Sequence, residues 1–509
     1  MATESAETKS TSTGLVYDEV HGVISDLHLS AGSQARLDRG LPWYRRAGRA
    51  VARILFQGER NPAVSEVNPL EDFPDDRPLV EFVRNFVDRY AGRAGKLKLK
   101  LLGDTFDFHA VYWNGRTGGP PHQAVAVVKL KRIMAGHVQA MDALSAFVRR
   151  PDCRLDFFIG NHDLSLVWPQ VQRRLVRRLA GDDPEAVARI RFIGPEQDFR
   201  ELDRGILYYH GMNAEAQNSV YPKTVFIRHQ FGLKLKRPIL NEPLGSFVAS
   251  KLAYRIKLHH VLIGRLADYR SVFRNAAVHA PGWSLLVLAT AVWTYVYHAF
   301  FALAHIRRKT RLKDLMRTVG QAVTNEGVDA YARKQLNRPG VRAVVLGHSH
   351  EWRQVQDEHG TYVNTGTWAL MFRLVERPLV LTWKRFRWLE RTWLCLKHFL
   401  LTRDASLGAQ VTKILGWLAA TALLSVLLWN GFPNHGWFVG SSRWMIDISL
   451  AFVFLSGLLR VLSIKSEVES IQRYTFCLTK FYPDGGYELQ LMEFLPDAAD
   501  PRQRFRQCH

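Results

Sequence analysis

The chain has 509 residues, more than one hydrophobic core usually serves, so a large domain with appended segments is expected. Lysine and arginine number 69 against 47 acidic residues; the net charge of +22 favours an anionic partner such as nucleic acid, a phospholipid surface or a phosphorylated substrate. Cys153, Cys395, Cys477 and Cys508 are scattered without a C-x-x-C pair, which argues against a zinc knuckle or a disulfide framework and fits a reducing compartment.

Residues 1–14 are polar, rich in Ser and Thr, and lack the apolar core of a secretory signal, so they read as a disordered tail. Val20 to Ser25 reads as a short buried strand that delivers Asp26 and His28 at its end. In residues 42–57, Trp43, Ala47, Ala50, Val51, Ile54 and Leu55 recur at helical spacing, with Arg45, Arg46, Arg49 and Arg53 on the remaining surface. That pattern suits either an anionic bilayer or a helix packed on its own domain with a solvated basic face.

A proline-rich acidic loop, residues 61–78, leads into a helix from Leu79 to Tyr90. The alternating Lys96-Leu97-Lys98-Leu99-Lys100 enters a strand ending in Leu101-Leu102-Gly103-Asp104-Thr105-Phe106-Asp107. A loop with aromatics follows from Phe108 to His122, then a helix through 124–149, then an apolar run from Leu155 to Ile159 that closes in Gly160-Asn161-His162-Asp163. This alternation of strand, helix and strand predicts an α/β fold.

Residues 185–209 supply further strand material, ending in Leu207-Tyr208-Tyr209-His210. A long insertion then intervenes. Between Lys223 and Arg274 it holds eleven Lys or Arg against two acids, Glu242 and Asp268, as expected of a membrane-facing or polyanion-facing surface, or of a solvated face. Residues 283–303 are apolar and long enough to cross a bilayer. A lone crossing would put His210 on one side and His348 and His350 on the other, so this run is expected to be interfacial, re-entrant or buried. The basic run from Arg307 to Lys313 suits lipid headgroups.

The strand Val344 to Leu346 leads to Gly347-His348-Ser349-His350, and Thr361 to Thr367 gives a strand and turn. Lys384 to Arg403 is basic and aromatic, an interface segment. Apolar stretches at 414–429 and 444–464 are expected to form a helical hairpin that spans the membrane, lies in its interface or sits in a core, with flanking Lys413 and Lys465 placing the preceding part of the chain on the cytoplasmic side. Tyr474 to Lys480 and Tyr487 to Phe494 flank Pro483-Asp484-Gly485-Gly486, a β-hairpin signal.

Five apolar runs thus end in carboxylate, imidazole or amide side chains of the kind that bind hard divalent cations. Hydrolysis of a phosphate ester or anhydride needs phosphoryl charge neutralised and a nucleophile at neutral pH, which two cations about 3.5–4 Å apart supply. The order and spacing of these endings resemble the calcineurin-like metallophosphoesterases over roughly residues 20–370, with the insertion at about 215–340 unmatched. The resemblance implies an α/β (α+β) two-sheet sandwich flanked by helices. It also implies that Asp26, His28, Asp104 and His350 hold one metal, and that Asp104, Asn161, His210 and His348 hold the other, with Asp104 as the bridge. His162 resembles the histidine that contacts the phosphate and assists the leaving group, while Asp107 and Asp163 orient ligands. Manganese is the first expectation; iron, zinc and magnesium also suit such ligands.

On this reading the chain divides into a tail (1–14), a metallophosphoesterase domain (15–375), a membrane-associated helical region (376–470) and a β-hairpin with a tail (471–509). Ile24-Ser25-Asp26-Leu27-His28-Leu29-Ser30 and Gly103-Asp104-Thr105-Phe106-Asp107 look most like the UDP-2,3-diacylglucosamine hydrolases, which cut a pyrophosphate on a lipid-bearing nucleotide sugar at the cytoplasmic membrane face. This chain differs from them in His162, where they read G-N-R-D, and in its length. The expected partners are a phosphorylated, lipid-linked substrate and an anionic membrane surface, with the bacterial-type cytoplasmic membrane as the location. A nuclease of the same fold and a non-catalytic membrane scaffold are the alternatives.

Overall fold

The strands β1 (Tyr17–Ile24), β2 (Ala94–Leu102), β3 (Cys153–Phe158) and β4 (Ile190–Ile193) lie side by side and parallel. They belong to a computed structural model that describes residues 15–34, 68–114, 117–215, 217–230, 233–243, 326–378, 464–498 and 503–508, with short pieces at 245–246, 249–250 and 254–257 and at Arg265 and Asp500. The expected tail 1–14, the segment 42–57, the apolar run 283–303, the basic run from Arg307, the segment 384–403 and all but the last residue of the hairpin 414–464 lie outside the described residues. Among the described residues, no helix is long and apolar enough to cross a membrane.

Successive strand side chains point to opposite faces, and towards the carboxyl ends of these strands apolar residues fill both. Ile24, Leu101 and Phe157 face one cluster and their neighbours Val23, Leu102 and Phe158 face another. The first cluster is closed by α1 (Arg77–Tyr90), α2 (Gln123–Gly136), α3 (Val138–Arg149) and α4 (Pro169–Ala180) through Phe82, Phe86, Ile133, Phe147 and Leu175. In α1 the buried residues Leu79, Phe82, Val83, Phe86 and Tyr90 follow the helical repeat read from the sequence.

The second cluster is closed by a five-stranded sheet. It contains β5 (Arg200–Asp203), β6 (Ile206–Tyr209), β9 (Ala343–Leu346), β10 (Trp352–Asp357) and β11 (Gly360–Thr365), in the order β10-β11-β9-β6-β5. Ile206, Tyr208, Val345 and Val363 from this sheet pack against Val23, Leu102 and Phe158. Between β6 and β9 lie a two-stranded hairpin, β7 (Phe226–Gln230) with β8 (Leu233–Leu240), and the helix α5 (Glu326–Leu336). The architecture is mixed α/β, with two sheets sharing an apolar layer and helices on the outer face of the larger sheet.

Three features depart from the sequence reading. The single helix expected through 124–149 is broken at His137. Gly136 lies so close to the 31–32 loop that a Cβ there would come 2.3 Å from the Ala31 carbonyl oxygen, and the His137 ring is held by Asp76 at 2.6 Å and Glu71 at 3.2 Å. The C-terminal hairpin forms as β14 (Tyr474–Phe481) and β15 (Tyr487–Phe494), but it does not stand apart. β14 pairs antiparallel with β1, and β16 (Phe505–Gln507) adds an edge, so these strands complete a seven-stranded sheet, β16-β15-β14-β1-β2-β3-β4. Finally, β12 (Phe372–Pro378) and β13 (Ile464–Ser470) pair antiparallel, so the chain leaves for residues 379–463 and returns at one place.

Candidate metal centre

The ligand-type residues stand at the carboxyl ends of β1, β2, β3, β6 and β9, where parallel strands in α/β sheets present their loops. Two glycines let these loops converge. A Cβ on Gly160 would lie 2.3 Å from Asp104 Oδ1, and one on Gly347 would lie 2.6 Å from Asp26 Oδ2, so the G-N and G-H steps of the motifs are spatial requirements. The backbone is also strained at the site. Nine described non-glycine residues have positive φ, and five of them are Asp26, His28, Asp104, His348 and His350.

Two sets of side chains gather. In the first, Asp26 Oδ1 lies 3.4 Å from His350 Nε2 and 3.8 Å from His28 Nε2, and the two imidazole nitrogens are 3.1 Å apart. In the second, His210 Nε2 lies 3.2 Å from Asp104 Oδ2, 3.3 Å from Asn161 Oδ1 and 3.3 Å from His348 Nδ1. The sets adjoin, because the His348 backbone N–H donates to Asp26 Oδ2 at 2.9 Å. His210 Nδ1 lies 2.9 Å from the Leu102 carbonyl, which fixes the ring and turns Nε2 towards Asp104, Asn161 and His348.

Asp107 and Asp163 occupy supporting places. Asp107 Oδ1 accepts the backbone N–H groups of His109 and Ala110, while Oδ2 faces His162 Nδ1 at 3.1 Å and His28 Nδ1 at 3.6 Å. Asp163 accepts N–H groups from Gly160 at 2.6 Å and Thr105 at 2.8 Å, tying the β3 loop to the β2 loop. His162 donates its backbone N–H to Asp104 Oδ1. Asp26, Asp104, Asn161 and His210 are buried, whereas the side chains of His350 and His162 are 29% and 18% exposed, so the site opens past these two rings.

The electrostatics follow the packing. Burial alone would raise the Asp104 carboxyl, but His210, His162 and His28 hold it well below the usual carboxylate range. Asp26 is likewise lowered to about 2, with His350 and His210 outweighing its burial. Burial opposes charge on His210 and His162, yet Asp104 draws His210 up to about 10, and Asp107 with Asp104 draws His162 up to about 9. Burial and the neighbouring Asp104 charge push Asp163 up to about 7.

Asp26 Oδ1 is buried without a hydrogen bond, at the point where two imidazole nitrogens converge. An orphaned carboxylate oxygen there is costly unless a cation meets it. Asp26, His28 and His350, and Asp104, His210 and His348, each bring ligand atoms close enough to hold a metal ion. Glu19, His21 and Asp203 form another such group, but Lys98 lies 2.6 Å from Glu19 and 3.1 Å from Asp203 and supplies the positive charge.

Several residues of the site carry no motif. Glu215 Oε2 lies 3.3 Å from His348 Nε2, and Asn218 Nδ2 lies 3.4 Å from the same nitrogen. Ser246 donates to the Asn161 carbonyl, and Tyr254 donates to Asp107. All four lie in the insertion, where no apolar run precedes them to flag a strand end. No protein-family model matches the chain, and no curated protein matches it. What is established is therefore a mixed α/β protein with buried His/Asp clusters able to hold metal ions.

Proposed function

We propose that the protein is a membrane-associated, metal-dependent phosphoesterase of the calcineurin-like type, acting on a phosphodiester or pyrophosphate bond in a lipid-linked or nucleotide-diphosphate substrate. One observation carries the reading: ligand-type side chains from five separate strand ends meet in two adjoining sets, around Asp26 and around Asp104. Asp26, His28 and His350 would hold one divalent cation and Asp104, Asn161, His210 and His348 the other, with Asp104 shared and manganese the first candidate. Such cations would neutralise phosphoryl charge and make water acidic enough to supply a nucleophile at neutral pH.

The chain's own groups would do the rest. His162, on the open side, would contact the phosphate and stabilise or protonate the departing oxygen, with its Nδ1 engaged by Asp107 so that Nε2 remains for the substrate. His28 would be oriented through its Nδ1 by the same carboxylate. Membrane association rests on the apolar stretches at 283–303, 414–429 and 444–464, and the cytoplasmic face on Lys413 and Lys465, which flank the last two.

A nuclease of the same chemistry is the second reading, favoured by the exposed Arg228, Lys234, Lys236 and Arg237 on the acid-free hairpin of β7 and β8. The discriminating experiment uses the full chain in detergent with manganese, UDP-diacylglucosamine, bis-p-nitrophenyl phosphate and single-stranded DNA, with Asp104→Ala as control. Release of UMP from the lipid, lost in the variant, supports the lipid-nucleotide reading. Cleavage of DNA or of the generic diester alone moves the assignment to other phosphodiesters. Inactivity on every substrate overturns the enzyme.

A further inference from the structure

The insertion is tied to the body of the protein at several points, one of them beside the candidate metal centre. Ser246 donates to the carbonyl of Asn161, Thr117 donates to the carbonyl of Ser250, and Lys257 and Arg265 both pair with the buried Asp72, Arg265 at 2.8 Å. Between these anchors Tyr254 is buried against Leu70 and Ala110. Its hydroxyl donates to Asp107 Oδ2 and lies 3.2 Å from His162 Nδ1.

Asp107 Oδ2 therefore meets three groups, the Tyr254 hydroxyl, the His162 ring and, at 3.6 Å, His28 Nδ1, while Oδ1 is taken by the His109 and Ala110 N–H groups. A carboxylate filled in this way has little freedom to rotate, and the ring hydrogen-bonded to it inherits that restriction. The two rings also meet edge to face, with centroids 6.5 Å apart and planes at 61°. No strand ending or motif marks Tyr254. It reaches the site only because the insertion folds back over the loops that carry Asn161 and Asp107.

We propose that Tyr254 is a positioning residue: through Asp107 it sets the orientation of the His162 imidazole, so the insertion completes the site as well as covering it. The inference rests on the reading of His162 as the group facing the leaving oxygen. Tyr254→Phe keeps the ring and its apolar contacts and removes only the hydroxyl. Orienting partners outside the ligands themselves typically contribute 10- to 100-fold, so a loss of about tenfold in kcat is expected, with KM unchanged.

The test has two arms on the full chain. The first is bis-p-nitrophenyl phosphate hydrolysis with manganese, comparing wild type, Tyr254→Phe and Tyr254→Ala. The second needs no metal: the ring nitrogen resonances of His162 in 15N-histidine-labelled protein, assigned with His162→Gln. A shifted or broadened His162 Nδ1 signal in Tyr254→Phe, together with the kcat-only loss, supports the proposal. An unchanged signal overturns it whatever the activity does. If the wild type proves inactive while the signal still moves, the positioning stands and the phosphoesterase reading is what fails.

Discussion

The backbone N–H of His348 donates to Asp26 Oδ2 at 2.9 Å, joining the loop after β1 to the loop after β9 across 322 positions of sequence. One oxygen of Asp26 is thus committed to structure, and the other, buried and without a hydrogen bond, faces His28 and His350. A single carboxylate closes the circle of strand ends and offers the charge that a cation would meet.

Asp26→Asn separates these two duties. The amide oxygen can still accept from His348, while the negative charge is gone. Bound manganese should fall to about half of the wild-type content, and diester hydrolysis should drop by roughly 100-fold or more, with the fold retained. Metal analysis after gel filtration together with circular dichroism decides this; wild-type metal content in the variant would remove Asp26 from the ligand set.

How much of this was legible beforehand depended on locality. Asp26, Asp104, Asn161, His210 and His348 each follow a short apolar strand and sit beside a glycine or serine, so local pattern sufficed to single them out as candidates. The break at His137 was not legible, because a Gly in a helical run is compatible with an intact helix. Only the 31–32 loop, over a hundred residues upstream, decides otherwise. The pairing of β14 with β1 escaped for the same reason: the hairpin was visible locally, but its partner strand is more than 450 residues away. Glu215, Asn218 and Tyr254 act through contacts made by an insertion with no periodic pattern to announce them.

Glu215 gives a second prediction. Its carboxylate faces His348 Nε2 while Nδ1 of the same ring faces His210, the geometry in which an outer carboxylate orients an imidazole ligand. Burial would raise the Glu215 carboxyl, and His348 outweighs it to hold the carboxyl below its usual range. Glu215→Gln should weaken manganese binding about tenfold at nearly unchanged stability, read by titration calorimetry. Equal affinity in the two proteins would make Glu215 a bystander.

His137 makes stability depend on pH. Burial disfavours its charge, but Asp76 and Glu71 raise it from the ordinary 6.5 to about 9. Because the folded value lies above the unfolded one, the folded state binds the extra proton in this window. The stabilisation is complete below about pH 6.5 and is lost as pH rises through about 9. At ~1.36 kcal/mol per unit the contribution is at most about 3 kcal/mol. Urea unfolding of wild type and His137→Gln at pH 6.5 and pH 9.5 should give a stability difference that shrinks at the higher pH. A difference independent of pH would show that the ring is not charged in the fold.

The last prediction concerns how residues 379–463 join the body. Pro378 and Ile464 face each other as paired residues of β12 and β13, so residues 379–463 depart and return through adjacent strands. That interval contains the apolar stretch 414–429 and nearly all of 444–464, and none of Asp26, His28, Asp104, Asn161, His210, His348 and His350. Two antiparallel strands whose ends lie opposite can be closed by an Asn-Gly turn, so replacing 379–463 with that dipeptide should convert the pair into a hairpin without disturbing β1, β14 or the site. The shortened protein should purify without detergent, hydrolyse bis-p-nitrophenyl phosphate within about twofold of the full chain, and lose most of its partition into vesicles containing anionic lipid. Retained vesicle binding would shift the membrane contact to the basic insertion, and an unfolded product would mean that the excised segment is part of the core.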